Sequence, residues 1–255
     1  MLLCHVTPAI VLRTWPFGES DKIVSFLTES HGKLTGIAKG AKRSRKRFVN
    51  SLEPFSLVNL RFQDRAHSNL AFILASDLSL GFKHLATSLE KISFASYLVE
   101  ITDGLIGERE ENRLVFRHLR DGLMHLEKQA MSLSFLTFFE LKLLELAGYQ
   151  PLLDGCRRCG RERRDPSATR WHFSARDGGI LCDPCSRLRR EIFPLSAATL
   201  EILMNLQEEK NVIAFDISPP TAMLKEIRSA VLRFIEFHME REIKSAAFLH
   251  QFCSV

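Results

Sequence analysis

The sequence predicts an α+β fold: a small N-terminal antiparallel β-barrel followed by an α-helical domain that carries a cysteine-bearing insert. Three observations predict it. Short apolar runs broken by Gly, Pro and Ser fill the first 79 residues. Apolar residues then recur at helical spacing from 84 to 147 and again after 196. Between those helical stretches lie two C-x-x-C pairs. The expected domains are 1–79 and 80–255, with the cysteine module at 151–190.

The strands come first. Ile10-Val11-Leu12 precedes a Pro/Gly loop, Trp15-Pro16-Phe17-Gly18. Further strands are expected at 22–28, 33–38, 55–62 and 70–75. Within 55–62, Phe55, Leu57 and Asn59 oppose Ser56, Val58 and Leu60, the period of two that a half-buried strand requires. Five short strands in fewer than 80 residues suit a small barrel such as an OB-fold. Periodicity alone does not separate that from an SH3-like barrel.

Helices follow at 84–106 and 111–128. The segment 133–147 is apolar on most faces, which makes it a central helix. Gly148 and Pro151 stop it. Two more helices are expected at about 196–207 and 220–241, with Ser218 or Thr221 capping the second.

Composition bounds the class. Of 255 residues, 45% are apolar and 25% charged, which excludes disordered and collagen-like chains. No run of ~18 apolar residues suggests a membrane span. Met1-Leu2-Leu3-Cys4-His5 does not open a secretory signal, so a cytosolic protein is expected. The charge is segregated. Lys and Arg outnumber Asp and Glu by 11 to 6 in residues 1–79 and by 10 to 4 in 156–190. Acidic residues lead elsewhere. Two basic modules on one chain point to polyanionic partners.

Cys156-x-x-Cys159 and Cys182-x-x-Cys185 stand 22 residues apart. Each pair can present two thiolates from a tight turn, and four thiolates make a closed tetrahedral zinc site. Arg176-Asp177-Gly178-Gly179, flanked by 171–174 and 180–181, reads as the turn of a hairpin that returns the second pair to the first, as in a zinc ribbon. Disulfides conflict with a cytosolic chain. A closed four-ligand site builds structure and leaves no open position for catalysis. Cys4 and Cys253 read as ordinary small apolar residues. His125-x-Glu127 ahead of Cys156-x-x-Cys159 mimics a zinc deaminase pattern, but Gly155 replaces its Pro and the second cysteine pair would lack a partner.

No acidic residue occurs from His31 to Leu52, while Lys33, Lys39, Lys42, Arg43, Arg45, Lys46 and Arg47 fall within 15 positions. Such a segment fits a phosphate backbone, bound by counterion release with little sequence preference. Trp15, Phe17 and Phe48 are candidate stacking faces, though packing in the core is the commoner fate of any one of them. Gly36–Lys42 fails as a P-loop, because the glycine spacing is short and Arg43 stands where Ser or Thr should be. No motif supports an ATPase or hydrolase.

These residues resemble a known family. Arg13-x4-Gly18-Glu19-Ser20-Asp21-Lys22, Leu27-Thr28-x2-His31-Gly32-Lys33, Ala38-Lys39-Gly40-Ala41-Lys42-Arg43 and Leu52-Glu53-Pro54-Phe55 are similar to the N-terminal domain of RecO. The resemblance continues through Gly148-Tyr149-x-Pro151-x2-Asp154-x-Cys156-x2-Cys159 and Phe173-x4-Gly178-Gly179-x2-Cys182-x2-Cys185 to Lys244-Ser245-x3-Leu249. It implies an OB-fold, a helical domain and a zinc module. It implies a recombination mediator, not an enzyme, that binds single- and double-stranded DNA and anneals complementary strands. With RecR, such a protein promotes RecA loading on DNA coated by single-strand binding protein, whose short acidic C-terminal tail it also binds. The helix at 133–147 beside the arginine-rich insert is the expected seat for that tail. The implied setting is the cytoplasm, on the bacterial nucleoid. The alternative is a zinc-ribbon and OB protein that binds RNA or acts in transcription.

Overall fold

The computed structural model describes residues 3–65, 68–129, 132–163, 170–187, 189–208 and 219–252. The chain divides into two compact units, 1–130 and 131–255.

In the first unit, β1 (Cys4–Phe17), β2 (Asp21–Thr28), β3 (Lys33–Ala38), β4 (Leu57–Arg65) and β5 (Ser68–Leu80) close a barrel in the order β1-β2-β3-β5-β4. β4 returns to β1 through Cys4↔Gln63 to Ile10↔Leu57. All pairs are antiparallel except β3–β5, where Gly36 and Ile37 face Ala71 and Phe72 in parallel. That order is the five-stranded OB arrangement, which resolves the choice that periodicity leaves open. Val24, Phe26, Leu34, Val58, Leu60, Phe62 and Ile73 fill the interior. Along β4 the inward set is Val58, Leu60 and Phe62, while Asn59 and Arg61 face water. Phe55 lies outside β4, at φ 73°.

The expected loop at Trp15–Phe17 is instead strand. Trp15, Pro16 and Phe17 pair with Ile23, Lys22 and Asp21. Pro16 is tolerated because the pairing with β4 ends at Ile10, so the missing N–H is not needed on that side.

The first expected helix is two. α1 (Lys83–Thr87) ends at Ser88, which turns extended and caps α2 (Leu89–Leu105) by accepting the Lys91 N–H. Asn112 caps α3 (Arg113–Lys128) in the same way. The Glu127 carboxylate accepts the N–H groups of His84 and Leu85 at 3.0 and 2.8 Å, satisfying the open start of α1. Burial opposes its charge, but those two bonds and the His84 side chain outweigh it and hold Glu127 below the usual carboxylate range. The helices join the barrel's unit through Asp103, which pairs with Arg13 at 3.1 Å and Lys33 at 3.3 Å.

The second unit is built on α4 (Leu133–Leu146), α6 (Ala197–Glu208) and α7 (Thr221–Met239). α4 is central as expected: Phe135, Leu136, Phe138, Phe139, Leu141, Leu143 and Leu144 are all buried. One charge sits among them. Glu140, fully buried, accepts two bonds from Arg228 of α7, at 2.5 and 2.6 Å. A three-stranded antiparallel sheet, β7-β6-β8, carries the insert: β6 (Trp171–Ser174), β7 (Gly179–Cys182) and β8 (Ile192–Leu195). β8 is absent from the sequence expectations because four residues with a central Pro194 give no period to read. The short helix α5 (Asp183–Ser186) follows β7, and α8 (Ala246–Phe252) ends the described chain. Pro220, not Thr221, precedes the first turn of α7; the other candidate cap, Ser218, and the lone Cys253 lie outside the described residues.

Candidate functional site

The basic segment leaves β3 at the end of the barrel where the β1–β2 hairpin turns. Gly40 takes a left-handed conformation, φ 69°, that a side-chain-bearing residue adopts only at a cost, and it starts a single 3-10 turn at Ala41–Arg43. Asp21 fastens this turn. Its Oδ1 accepts the Gly40 N–H and the Ser20 hydroxyl, each at 2.8 Å. Those bonds, the Gly40 N–H foremost, hold the Asp21 carboxyl below its ordinary value of 3.8, with Lys39 and Lys42 adding to the effect. Lys42 completes the junction: its N–H reaches the Ser20 carbonyl at 2.9 Å and its Nζ reaches the Gly18 carbonyl at 2.8 Å. Hairpin tip and basic segment are thereby one surface.

Lys39, Lys42, Arg43, Arg45, Lys46 and Arg47 are all exposed on it. Arg47 is shaped by its surroundings, donating to the Lys39 carbonyl at 2.8 Å and lying 5.0 Å from the centre of the Phe48 ring. The side chains of Lys39, Arg43, Arg45 and Lys46 have no hydrogen-bond or ion-pair partner among the described residues. Four cations without a protein partner among the described residues leave their charge available to a polyanion. Lys33 does not join them. It begins β3, at the other end of that strand, where its Nζ bonds the Asp103 carbonyl at 2.6 Å and its side chain is only 12% exposed. The aromatics divide: Phe48 is buried in the barrel core, whereas Trp15 and Phe17 are exposed. Sequence reasoning finds the cations by count but misses the role of Asp21. Its one legible signal is an acid flanked by Ser20 and Lys22, ahead of the basic run.

In the second unit, Cys156, Cys159, Cys182 and Cys185 bring their sulfurs within 4.8 Å of one another. The four thiols are free, and Cys159 and Cys182 stand 3.6 Å apart. An ion bonded to four sulfurs at ~2.3 Å in a tetrahedron would space them by about 3.8 Å, so the donor set fits a metal ion. The fold delivers it. Leu152 runs beside β7, exchanging bonds of 3.1 Å with Gly178 and Ile180. A Cβ on Gly179 would lie 2.1 Å from the Leu152 carbonyl oxygen, so only glycine permits this approach. The expected hairpin is present, with Trp171↔Cys182 through Ser174↔Gly179.

Charge at the cluster asks for a cation. Burial disfavours the Cys156 thiolate, yet the N–H groups of Cys182, Cys159 and Arg158 bring its pKa down to about 6. Burial, followed by the neighbouring thiols, pushes Cys185 up to about 12 and raises Cys182 as well. A bound cation would favour the thiolate form of its sulfur ligands. The deaminase pattern has no counterpart here, since Cys156 belongs to the four-sulfur cluster and Glu127 caps α1.

A cleft of about 780 Å³ opens between the ribbon and the last turns of α7, lined by arginines such as Arg176 and Arg190, by Phe193 and Phe237, and by the acids Asp177, Glu191, Glu236 and Glu242. The apolar side chains of α4, by contrast, are consumed by the core and offer no groove for a tail. No helix among the described residues is long and apolar enough to cross a membrane.

An OB-like barrel with an exposed cationic loop, together with a helical unit whose four-cysteine cluster could hold a metal ion, defines the class of architecture. The family description "Recombination protein O N terminal" matches residues 1–82, and "Recombination protein O C terminal" matches 86–247. The chain is 34% identical to the DNA repair protein RecO of Syntrophus aciditrophicus over 97% of its length and 95% of that protein. It is 33% identical to RecO of Anaeromyxobacter sp. strain K, over 95% of this chain and 94% of that one. The value for RecO of Myxococcus xanthus is 32%, over 95% and 96%. The chain belongs to the RecO family of DNA repair and recombination proteins.

Proposed function

We propose that this protein is a recombination mediator that works by holding DNA and not by catalysing a reaction. Single- and double-stranded DNA lie on the cationic end of the barrel in domain 1–79, with phosphates on Lys39, Lys42, Arg43, Arg45, Lys46 and Arg47. Neutralising two polyanions on one surface lets complementary strands meet, so the protein anneals them. The observation that carries this reading is the exposed, unpaired set Lys39, Arg43, Arg45 and Lys46, on a segment fastened by Asp21.

The helical domain 80–255, with its cysteine module at 151–190, holds one zinc ion through Cys156, Cys159, Cys182 and Cys185. With four protein ligands this ion supplies folding energy to the ribbon and no open coordination site. RecR and single-strand binding protein are the protein partners, and RecA loading is the outcome. The cleft where Phe193 and Phe237 meet Arg176 and Arg190 is the seat for a short acidic tail that ends in apolar residues, its acids Asp177, Glu191 and Glu236 being partnered by Arg189 and Arg233. The work takes place in the cytoplasm, on the nucleoid. The test is annealing of complementary oligonucleotides coated with single-strand binding protein, with and without RecR. Faster annealing by this chain, and RecA filament formation only when RecR is added, supports the reading. No acceleration on coated or bare strands overturns it.

A further inference from the structure

Trp15 and Phe17 leave 41% and 50% of their surface in water. Large rings are normally taken into a core or an interface. These two are not on a loose tip, because β1 is paired with β2 at both positions, Trp15↔Ile23 and Phe17↔Asp21. Alternation about Pro16 puts both on one side of the strand. Neither ring has an aromatic or cation contact among the described residues. They are held on a paired strand, half exposed, next to the Gly18–Ser20 tip onto which Lys42 is fastened and to the Asp21 that holds Gly40.

Charge and shape together name the occupant. The cations call for a polyanion. Uncovered ring faces call for flat apolar partners, and a nucleic acid offers its base faces only where it is unpaired. Residues two apart on a strand are ~6.6 Å apart, about twice the 3.4 Å step of a stacked duplex strand. That spacing leaves room for one base between the rings, and a ring can lie on a base face only where a neighbouring base has left it, so a strand that uses both rings is unstacked.

We propose that Trp15 and Phe17 form a base-stacking step that gives the barrel a preference for single-stranded over duplex DNA. This rests on the reading of the same barrel end as the DNA surface. Phosphate contacts are common to both forms of DNA, so the cations set affinity and the rings set the difference between them.

The chain reports on this itself. It has two tryptophans, and Trp171 is buried, 4% exposed. Titrating the full chain with an oligothymidylate should quench the exposed Trp15 saturably and shield it from acrylamide. Duplex of equal length, bound to saturation, should leave it accessible. Trp15→Ala with Phe17→Ala should lower single-strand affinity roughly five- to a hundred-fold for each base no longer stacked. Duplex affinity and the salt slope should stay as they are, and Trp15→Phe should restore most of the loss. Single-strand binding without quenching, or equal losses on single strand and duplex, would overturn the stacking step while leaving the cationic surface in place. Failure of the unaltered chain to bind any DNA would remove both. Should the double variant not fold, the titration of the unaltered chain and the Trp15→Phe variant still decide.

Discussion

Replacing Arg43 and Arg45 by Ala removes two exposed guanidinium groups that have no protein partner among the described residues, so the fold loses nothing it uses. If both contact phosphate, the log–log salt slope should fall by about 1.4 on single strands and about 1.8 on duplex. Between 50 and 200 mM salt the double variant's deficit against the unaltered chain should then shrink about sevenfold on single strands and about twelvefold on duplex. The assay is fluorescence anisotropy over that salt range, on mixed-sequence and poly-T oligonucleotides. The slope change should be the same for both, because phosphate contacts carry no base information. Lys83→Ala, an exposed cation away from the basic segment, serves as the control and should leave the slope alone. An unchanged slope in a folded double variant would refute the reasoning and move the DNA to the arginine-rich insert.

Asp21 separates positioning from net charge by sign. Long-range electrostatics predicts that removing an acid beside six cations tightens DNA binding, whereas the fastening role predicts that Asp21→Ala weakens it and that Asp21→Asn, which keeps an acceptor, weakens it less. Because the folded pKa is depressed, the carboxylate's contribution is complete above pH 3.8 and is lost only as pH falls through the lower folded value, so binding from pH 5 to 8 should carry no Asp21 titration. Metal analysis should find one zinc per chain, and Cys182→Ser should abolish it and loosen the ribbon, as read by hydrogen exchange, while the barrel keeps its protection. Arg228→Ala should destabilise the helical unit by about 3–5 kcal/mol in denaturant melts, because it removes the guanidinium partner of the buried Glu140, and Arg228→Met with Glu140→Leu should recover most of it.

The barrel and the order of the helices are legible because burial imposes a period. Val58, Leu60 and Phe62 alternate with Asn59 and Arg61, and α4 is apolar all round because it is enclosed. The four-cysteine cluster is legible because ligand chemistry fixes both residue type and spacing. Features set by a single long-range contact are not. Pro16 looks like a loop until the end of the β4 ladder is known. Ser88 looks like helix interior until it turns to cap α2. Lys33 reads as one cation of seven, but only the fold places Asp103 against it. The same limit hid the exposure of Trp15 and Phe17, since sequence alone makes burial the default for a large ring.

The central claim, that DNA lies on the Asp21-fastened end of the barrel, is tested most directly by a lysine footprint. Acetylation of the full chain, alone and saturated with single-stranded DNA, is read residue by residue by mass spectrometry. Lys39, Lys42 and Lys46 should be protected, with Lys83 and Lys128, equally exposed in the same unit, reacting as before. Unchanged reactivity at Lys39, Lys42 and Lys46 under saturating DNA would contradict the account.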